Sequence, residues 1–320
     1  MGNKKTKTSL SREGTNFLKA IAIFSVLLIH ILSSSKPSPF VNESKFQLAA
    51  IFFDQLARIS VPLFVALSGY GLYCGYAKKK LELGTFFKRR VFKILPLYIL
   101  WSGIFSALFY FVPSWGPLTQ QPNLLWKIVL GRADYHLYFV PMVFQLYVFF
   151  PLILKVFKKW PLATLLGAVF VQLLWWWIFS YGGRTVTSWK YFAEDGEQYL
   201  WMTNWIAYFV LGMYLPKIWH WFDAHRSTAG LVLVGWLFSG GYAISNALQL
   251  IQNGTDPLFA LKFTRYPLFF YSFLAILVSS YCVARAKHLT GWLVKVGKIS
   301  YPLYLSHTLF LRIAFFLLYL

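Results

Sequence analysis

The hydrophobic residues of this chain fall into long stretches, and most of the charged residues lie in the connections between those stretches. A helix needs about 17–25 mostly apolar residues to cross the roughly 30 Å hydrocarbon core of a bilayer. The pattern predicts an all-α fold, a polytopic membrane helix bundle of about nine or ten transmembrane helices, with the shorter segment 121–131 interfacial or re-entrant. The predicted spans are roughly 17–36, 51–76, 91–112, 135–154, 162–181, 200–216, 229–250, 266–284 and 300–320.

Composition supports a membrane protein. Hydrophobic residues make up 58% of the 320-residue chain, aromatic residues 21% and charged residues only 13%, whereas a soluble domain has about 25% charged residues. A single soluble core of this size could not bury so much apolar surface. The two cysteines, Cys74 and Cys282, both lie in apolar stretches and offer neither a disulfide framework nor zinc-site spacing.

The net charge of +21 is explained by topology. Cytoplasmic connections of membrane proteins collect Lys and Arg, and most of the basic residues fall in alternate connections if the N-terminus is cytoplasmic. We therefore predict a basic cytoplasmic tail at 1–12 and one transmembrane domain at 13–320, and nucleic acid is excluded as a partner. A cleaved signal peptide is the minor alternative for the basic start, with Ser33 and Ser35 as small residues near a cleavage site.

The first apolar stretch is interrupted by Asn16, Lys19 and His30. Lys19 and His30 are eleven residues apart, about three helical turns, so they share one helix face roughly 16 Å apart along the axis. Polar groups at membrane depth are costly and often functional. The alternative is structural: Lys19 would extend to the cytoplasmic surface, and His30 would hydrogen-bond to a backbone carbonyl.

Later stretches also carry polar residues. Asp54 and Arg58 are spaced to pair across one helical turn, and the Pro and Gly residues between 60 and 71 suit a kink or a close helix contact, so a structural role is favoured there. His136, at the start of the fourth stretch, is interpreted on its own as part of an interfacial aromatic belt. The last stretch carries polar residues at helical spacing, with one histidine beside them, namely Tyr301, Tyr304, His307, Thr308 and Arg312.

A strongly basic run, from Lys88 to Tyr98, begins the third span and follows Lys78, Lys79 and Lys80. It could be a topology anchor or a surface for anionic lipid headgroups. It could also bind the phosphates of a nucleotide-bearing donor, because clustered Arg and Lys are natural phosphate ligands.

Five segments, in this order and on a membrane chain of this length, resemble the acyltransferase-3 family of bacterial membrane O-acyltransferases. They are Asn16 to His30, Phe64 to Tyr70, Phe86 to Tyr98, His136 to Pro151 and Ile299 to His307. The chain departs from the family pattern, which often has Asp near Asn16 and Arg at Lys19, and usually has ten spans. Lys keeps the positive charge of Arg but not its planar fork.

The resemblance implies an enzyme that moves an acyl group, most simply acetyl, from acyl-CoA to a hydroxyl of a cell-surface carbohydrate or lipid-linked sugar. It implies His30 as the base or a transient nucleophile, and Lys19 as an aid to the donor or the oxyanion. It also implies a multi-pass protein of the bacterial cell membrane, with acetyl-CoA or another acyl-CoA as donor substrate, no tightly bound cofactor, no metal, membrane lipids as partners and self-association left open. The donor phosphates would lie on Lys88, Arg89, Arg90 and Lys93, and the acceptor on Ser68, His136, Tyr304 and His307.

Two other functions fit a membrane bundle with intramembrane polar groups. One is a transporter or flippase for a glycan or lipid-linked sugar, although such proteins often contain internal repeats and none is visible here. The other is a scaffold for a polysaccharide synthase, with no chemistry of its own. Binding of acetyl-CoA to the purified protein would separate the enzyme from both.

Overall fold

The computed structural model describes residues 9–35, 38–40, 45–116, 123–182 and 197–318, and within these ranges all regular secondary structure is helical. The all-α prediction is confirmed. The α-helices are α1 (Arg12–Ser34), α2 (Gln47–Ala57), α3 (Ser60–Tyr76), α4 (Leu83–Phe111), α5 (Leu124–Val129), α6 (Phe139–Lys159), α7 (Pro161–Trp176), α8 (Ile206–Ala224), α9 (Arg226–Gln252), α10 (Pro257–Ala260), α11 (Tyr266–Arg285), α12 (Gly291–Lys298) and α13 (Ser300–Leu318).

The protein is a multi-pass membrane protein. Eight helical segments in the described ranges are long and apolar enough to cross a bilayer, α2 and α3 counting together as one. The predicted span 200–216 corresponds to α8, which is outside these eight although most of its side chains are buried. Its tryptophans, tyrosines, Lys217 and Asp223 lower its hydropathy. A total of nine or ten spans stays a prediction.

The predicted second span is broken in the middle. Helix α2 ends at Ala57 and α3 begins at Ser60, and Arg58 closes α2 by donating its backbone N–H to the carbonyl of Asp54 (3.1 Å). Pro62 then falls in the first turn of α3, where a missing backbone N–H costs nothing. The short apolar segment predicted at 121–131 contains α5.

The helices divide into two compact units, each built from separate parts of the chain. The first unit comprises Met1–Gly71 and Leu211–His307, and the second comprises Leu72–Val210 and Thr308–Leu320. The division cuts through α3, α8 and α13, so each of these helices contributes to both units. The predicted basic tail lies mostly outside the described residues; α1 begins at Arg12, and the Ser11 hydroxyl caps it by accepting from the Gly14 N–H (2.9 Å).

Two glycines set the closest helix contacts of the first unit. A Cβ added at Gly297 in α12 would overlap the backbone carbonyl of Asn16 in α1, and a Cβ at Gly212 in α8 would overlap that of Ala66 in α3. Small residues allow membrane helices to approach backbone to backbone in this way. The contact at Gly297 helps to set the rotation of α1, and with it the direction in which Lys19 and His30 face.

A buried polar network lies where α2 meets its neighbours in the first unit. Arg58 makes a bidentate ion pair with Asp54 (2.8 and 3.0 Å), which confirms the predicted pairing. Asp54 also accepts from the Gln55 amide (2.9 Å), and Gln55 in turn accepts from buried Arg265 (2.9 Å). Arg265 donates further to Asn246 (2.5 Å). The network is fully hydrogen-bonded, as a buried charge requires.

Candidate functional site

The first unit brings two of the predicted site histidines together. The imidazole rings of His30, on α1, and His307, on α13, have centroids 5.1 Å apart and are tilted by 34°. His307 is buried, with 4% of its surface exposed, whereas His30 is half-buried. Two imidazoles in contact at the depth of transmembrane helices form a candidate centre for proton transfer, because histidine is the side chain best suited to exchange protons near neutral pH.

The backbone orients His307. Its Nδ1 lies 2.6 Å from the carbonyl oxygen of Tyr304, and a carbonyl can only accept, so Nδ1 carries the proton. In the neutral ring the lone pair is therefore on Nε2, which is the nitrogen able to act as a base. The Tyr304 ring lies beside His307 (5.8 Å) and contacts Phe64 of α3 (6.5 Å). Ser68 follows Phe64 by one helical turn and is half-buried.

Lys19 does not join the histidine pair directly. It lies on α1 about three turns before His30, roughly 16 Å along the axis, and is half-buried. The predicted separation of Lys19 from His30 along one continuous helix is thus present.

The second unit contains a separate polar centre around Asp134, which is completely buried. Arg312 of α13 donates two hydrogen bonds to this carboxylate (2.6 and 2.8 Å), and the Thr308 hydroxyl donates a third (2.8 Å). The ring of buried His136 completes the centre, with Nδ1 within 3.4 Å of both Asp134 Oδ2 and Thr308 Oγ1. We call these four residues the aspartate centre.

Charge within the aspartate centre is well compensated. Burial alone would raise the pKa of the Asp134 carboxyl, but hydrogen bonds from Arg312 and His136, and electrostatic attraction to both, hold the pKa well below its usual range. The Thr308 hydroxyl donates its proton to the Asp134 carboxylate. The lone pairs of the Thr308 oxygen can therefore accept a hydrogen bond from His136. That arrangement places a proton on Nδ1 of His136.

The predicted donor-binding residues all lie in the first turns of α4, in the second unit. Lys88, Arg89 and Lys93 are exposed, but Arg90 turns inward. Its guanidinium lies over the rings of Phe86 (5.5 Å) and Tyr147 (5.6 Å), and its buried Nε has no hydrogen-bond partner within the described chain. Of the four, Arg90 is the one whose guanidinium is held against aromatic rings.

Sequence reasoning singled out His136 but missed its partners Asp134, Thr308 and Arg312 as site residues. A usable pattern was present: Arg312 lies inside the last apolar span and Asp134 at the edge of the fourth, and opposite charges at membrane depth tend to pair. The interpretation of His136 as an aromatic-belt residue did not foresee its almost complete burial (2% exposed) beside a carboxylate. Its role toward the acceptor stays a prediction.

The membrane-crossing helices and the imidazole pair define a multi-pass membrane protein with a candidate acid–base centre at membrane depth. The family model for an acyltransferase domain matches residues 12–320, and the chain belongs to that family of acyltransferases. This confirms the family expected from the five sequence segments. The chain is also similar to the "Putative membrane-bound acyltransferase YfiQ" of Bacillus subtilis (strain 168), with 23% identity over 312 residues, covering 94% of this chain and 81% of that protein. No solved structure matches the chain.

Proposed function

We propose that this acyltransferase moves an acyl group, most simply acetyl, from acyl-CoA to a hydroxyl of a cell-surface carbohydrate or lipid-linked sugar. The observation that carries the proposal is the contact between His30 and His307 inside the first unit. Membership in the acyltransferase family supports acyl transfer in general. The choice of acyl-CoA and of a sugar hydroxyl follows what the resemblance implies, and the basic residues at the start of α4 support a donor that carries phosphates.

The reaction requires that the acceptor hydroxyl lose a proton and that the departing CoA thiolate gain one. An imidazole removes the proton of the acceptor hydroxyl as its oxygen attacks the thioester carbonyl, and a tetrahedral oxyanion forms. The C–S bond then breaks, the acyl group remains on the acceptor oxygen, and the CoA thiolate takes up a proton from the imidazolium. His30 is our candidate for this base, because it is half-buried and can meet substrate, whereas His307 is enclosed behind it.

His307 would then act as the partner that positions His30. Its own Nδ1 proton is committed to the Tyr304 carbonyl, so its Nε2 is the nitrogen that can exchange a proton with a neighbour. Tyr304 and Ser68 would line the acceptor side of the same unit. Lys19, with its positive charge three turns away along α1, would attract the donor or the developing oxyanion.

The donor phosphates would be held by the start of α4. Arg90 offers a planar, permanently charged group already fixed against two aromatic rings, which lowers the entropy lost when a phosphate binds. The exposed Lys88, Arg89 and Lys93 would add long-range attraction for a donor with several negative charges. The N-terminus and these basic residues would face the cytoplasm, where acyl-CoA is found. His136 would help to orient the acceptor within the second unit.

The proposal is tested by thiol release. The protein is purified into lipid nanodiscs, acetyl-CoA is added, and free CoA thiol is measured with and without detergent-extracted glycolipid from the producing cells. We expect acceptor-stimulated thiol release together with an acceptor product heavier by one acetyl group. A transporter or scaffold would release no thiol, so absence of release with every acyl-CoA supplied would overturn the proposal.

A further inference from the structure

The second unit contains a group of aromatic and amide side chains that the proposed reaction does not use. Gln172 and Trp175 lie in the last turns of α7, and Trp201 and Thr203 lie in the segment 197–204, whose turn at Met202–Asn204 contacts α7. The Trp175 and Trp201 rings have centroids 6.4 Å apart, and Trp175 also packs against Phe179 (4.1 Å). We call Gln172, Trp175, Trp201 and Thr203 the tryptophan cluster.

Three polar atoms of the tryptophan cluster are buried and lack hydrogen-bond partners among the residues that the structure describes. They are Nε2 of Gln172, Nε1 of Trp175 and Oγ1 of Thr203. Gln172 is completely buried, and its Oε1 is used, because it accepts from the Ala207 N–H (3.0 Å). A buried donor without a partner costs about 1–3 kcal/mol. Hydroxyl oxygens of a bound ligand would satisfy all three.

The segment that carries half of the cluster is held firmly. The Gln145 side chain of α6 donates to the carbonyl of Leu200 (2.9 Å) and accepts from the N–H of Met202 (3.2 Å). The Trp205 indole donates to the carbonyl of Tyr199 (2.9 Å). Helix α7 continues into a π-helical turn at Trp177–Gly182, a rare conformation that is frequent at functional sites. These hydrogen bonds fix the backbone on both sides of Trp201, and so limit where Trp201 and Thr203 can move.

The chemistry of the tryptophan cluster suits a saccharide. A pyranose ring offers a face of C–H groups that stacks on an indole, and hydroxyls that accept from N–H and O–H donors. The cluster contains no charged side chain, which favours a neutral sugar over a uronic acid or a phosphate. We propose that the tryptophan cluster is a subsite for a neutral sugar residue of the acceptor. This inference rests on the function proposed above.

A line of aromatic rings runs from the loop after His136 to Trp205, which follows the segment that carries Trp201 and Thr203. The Tyr138 ring, two residues after His136, contacts Tyr199 (5.7 Å), and Tyr199 contacts Trp205 (6.2 Å). These contacts hold Tyr138 and Tyr199 side by side, both half-buried, within the second unit. The subsite predicts a preference for oligosaccharide acceptors over single sugars.

The experiment measures saccharide binding without catalysis. The wild-type protein in nanodiscs is titrated with maltotetraose and with chitotetraose, and binding is followed by saturation-transfer NMR and calorimetry; glucitol, an acyclic polyol, serves as ligand control. We expect at least one oligosaccharide to bind and glucitol not to bind. Trp175→Ala should weaken binding by about tenfold or more, and Thr203→Val by about threefold. Trp177→Ala, an exposed neighbour of Trp175, should leave affinity unchanged.

The outcomes separate this inference from the proposed function. Thiol release from acetyl-CoA is measured on the same preparations. If thiol is released but neither oligosaccharide binds, or if Trp175→Ala binds as wild type does, the subsite is wrong and acyl transfer stands. If the oligosaccharide binds through Trp175 but no acyl-CoA is turned over, the subsite stands and the proposed donor is wrong. If Trp175→Ala and Trp177→Ala lose the same amount of saccharide affinity, these rings contact lipid rather than sugar, and the subsite is overturned.

Discussion

Replacing Arg312 by Met should strongly destabilise the second unit. Arg312 makes two of the hydrogen bonds to the completely buried Asp134 carboxylate, at 2.6 and 2.8 Å, and its guanidinium also lies over the Phe109 ring (4.9 Å). Met has a similar length and apolar character, so packing along α13 is largely kept. What the substitution removes is the charge that compensates Asp134.

The expected cost follows from the burial of the partner. Removing one member of a buried ion pair leaves an uncompensated charge and costs about 3–5 kcal/mol. Asp134 would retain hydrogen bonds from Thr308 (2.8 Å) and from the Tyr135 N–H (2.9 Å), which places the expected value near the lower end, about 3 kcal/mol. Asp134→Asn should cost less, because the Arg312 side chain is 19% exposed and can reach a polar environment once released.

The assay is reversible unfolding in mixed micelles of dodecyl maltoside and SDS, followed by near-ultraviolet circular dichroism, for both single variants and the double variant. We expect the double variant to be less destabilised than the sum of the single variants, with a coupling of about 1–3 kcal/mol. Arg89→Met, which removes an exposed arginine of the same unit, should change stability by less than about 0.5 kcal/mol. Additive single effects, or a cost below about 1 kcal/mol for Arg312→Met, would refute this description of the aspartate centre.

Three further predictions follow from single contacts. Gly297→Ala should destabilise the first unit by about 1–3 kcal/mol, because the added methyl meets the Asn16 carbonyl. Gly291→Ala, in the same helix, adds its methyl to open space and should cost less. Thermal unfolding of the two variants compares their stabilities. Arg90→Met should raise the apparent dissociation constant for acyl-CoA by about tenfold or more, and Lys88→Met by less, as measured by calorimetry. The pKa of Asp134 is lower in the folded protein than in the unfolded chain. The ionised carboxylate therefore stabilises the fold fully above the unfolded pKa of about 4, and this stabilisation is lost progressively as the pH falls below that value. Asp134→Asn should consequently reduce the difference in unfolding free energy between pH 6 and pH 3.

The long apolar stretches predicted the helices well, because a membrane span has a length requirement that is visible in one dimension. The break after Ala57 was less visible, since Arg58 and Ile59 continue an apparently helical pattern, and Pro62, which lacks the N–H that would bond to the Arg58 carbonyl, lies four residues later. Helix α8 also shows the limit of hydropathy, because Tyr208 and Trp219 score as weakly polar although both are buried in the interior.

The individual site residues could be predicted, but most of their pairings could not. His30 and His307 both appeared as candidates, yet their contact depends on how α1 and α13 are rotated, and Gly297 helps to set that rotation by contact with Asn16. Asp134 and Arg312 are 178 residues apart, and Gln55 and Arg265 are 210 apart. With several intramembrane cations and carboxylates available, a single sequence does not specify which of them pair. The tryptophan cluster was hidden for another reason: with 14 tryptophans in the chain, none stood out.

The most direct test of the account compares His30→Ala with His220→Ala, an exposed histidine of the first unit, in thiol release from acetyl-CoA at saturating acceptor. General-base catalysis contributes about 10²–10⁴-fold, so His30→Ala should lose thiol release by at least about a hundredfold while its affinity for acetyl-CoA stays at the wild-type value. His220→Ala should release thiol at the wild-type rate. A His30→Ala protein that releases thiol as fast as the His220→Ala protein would contradict the account.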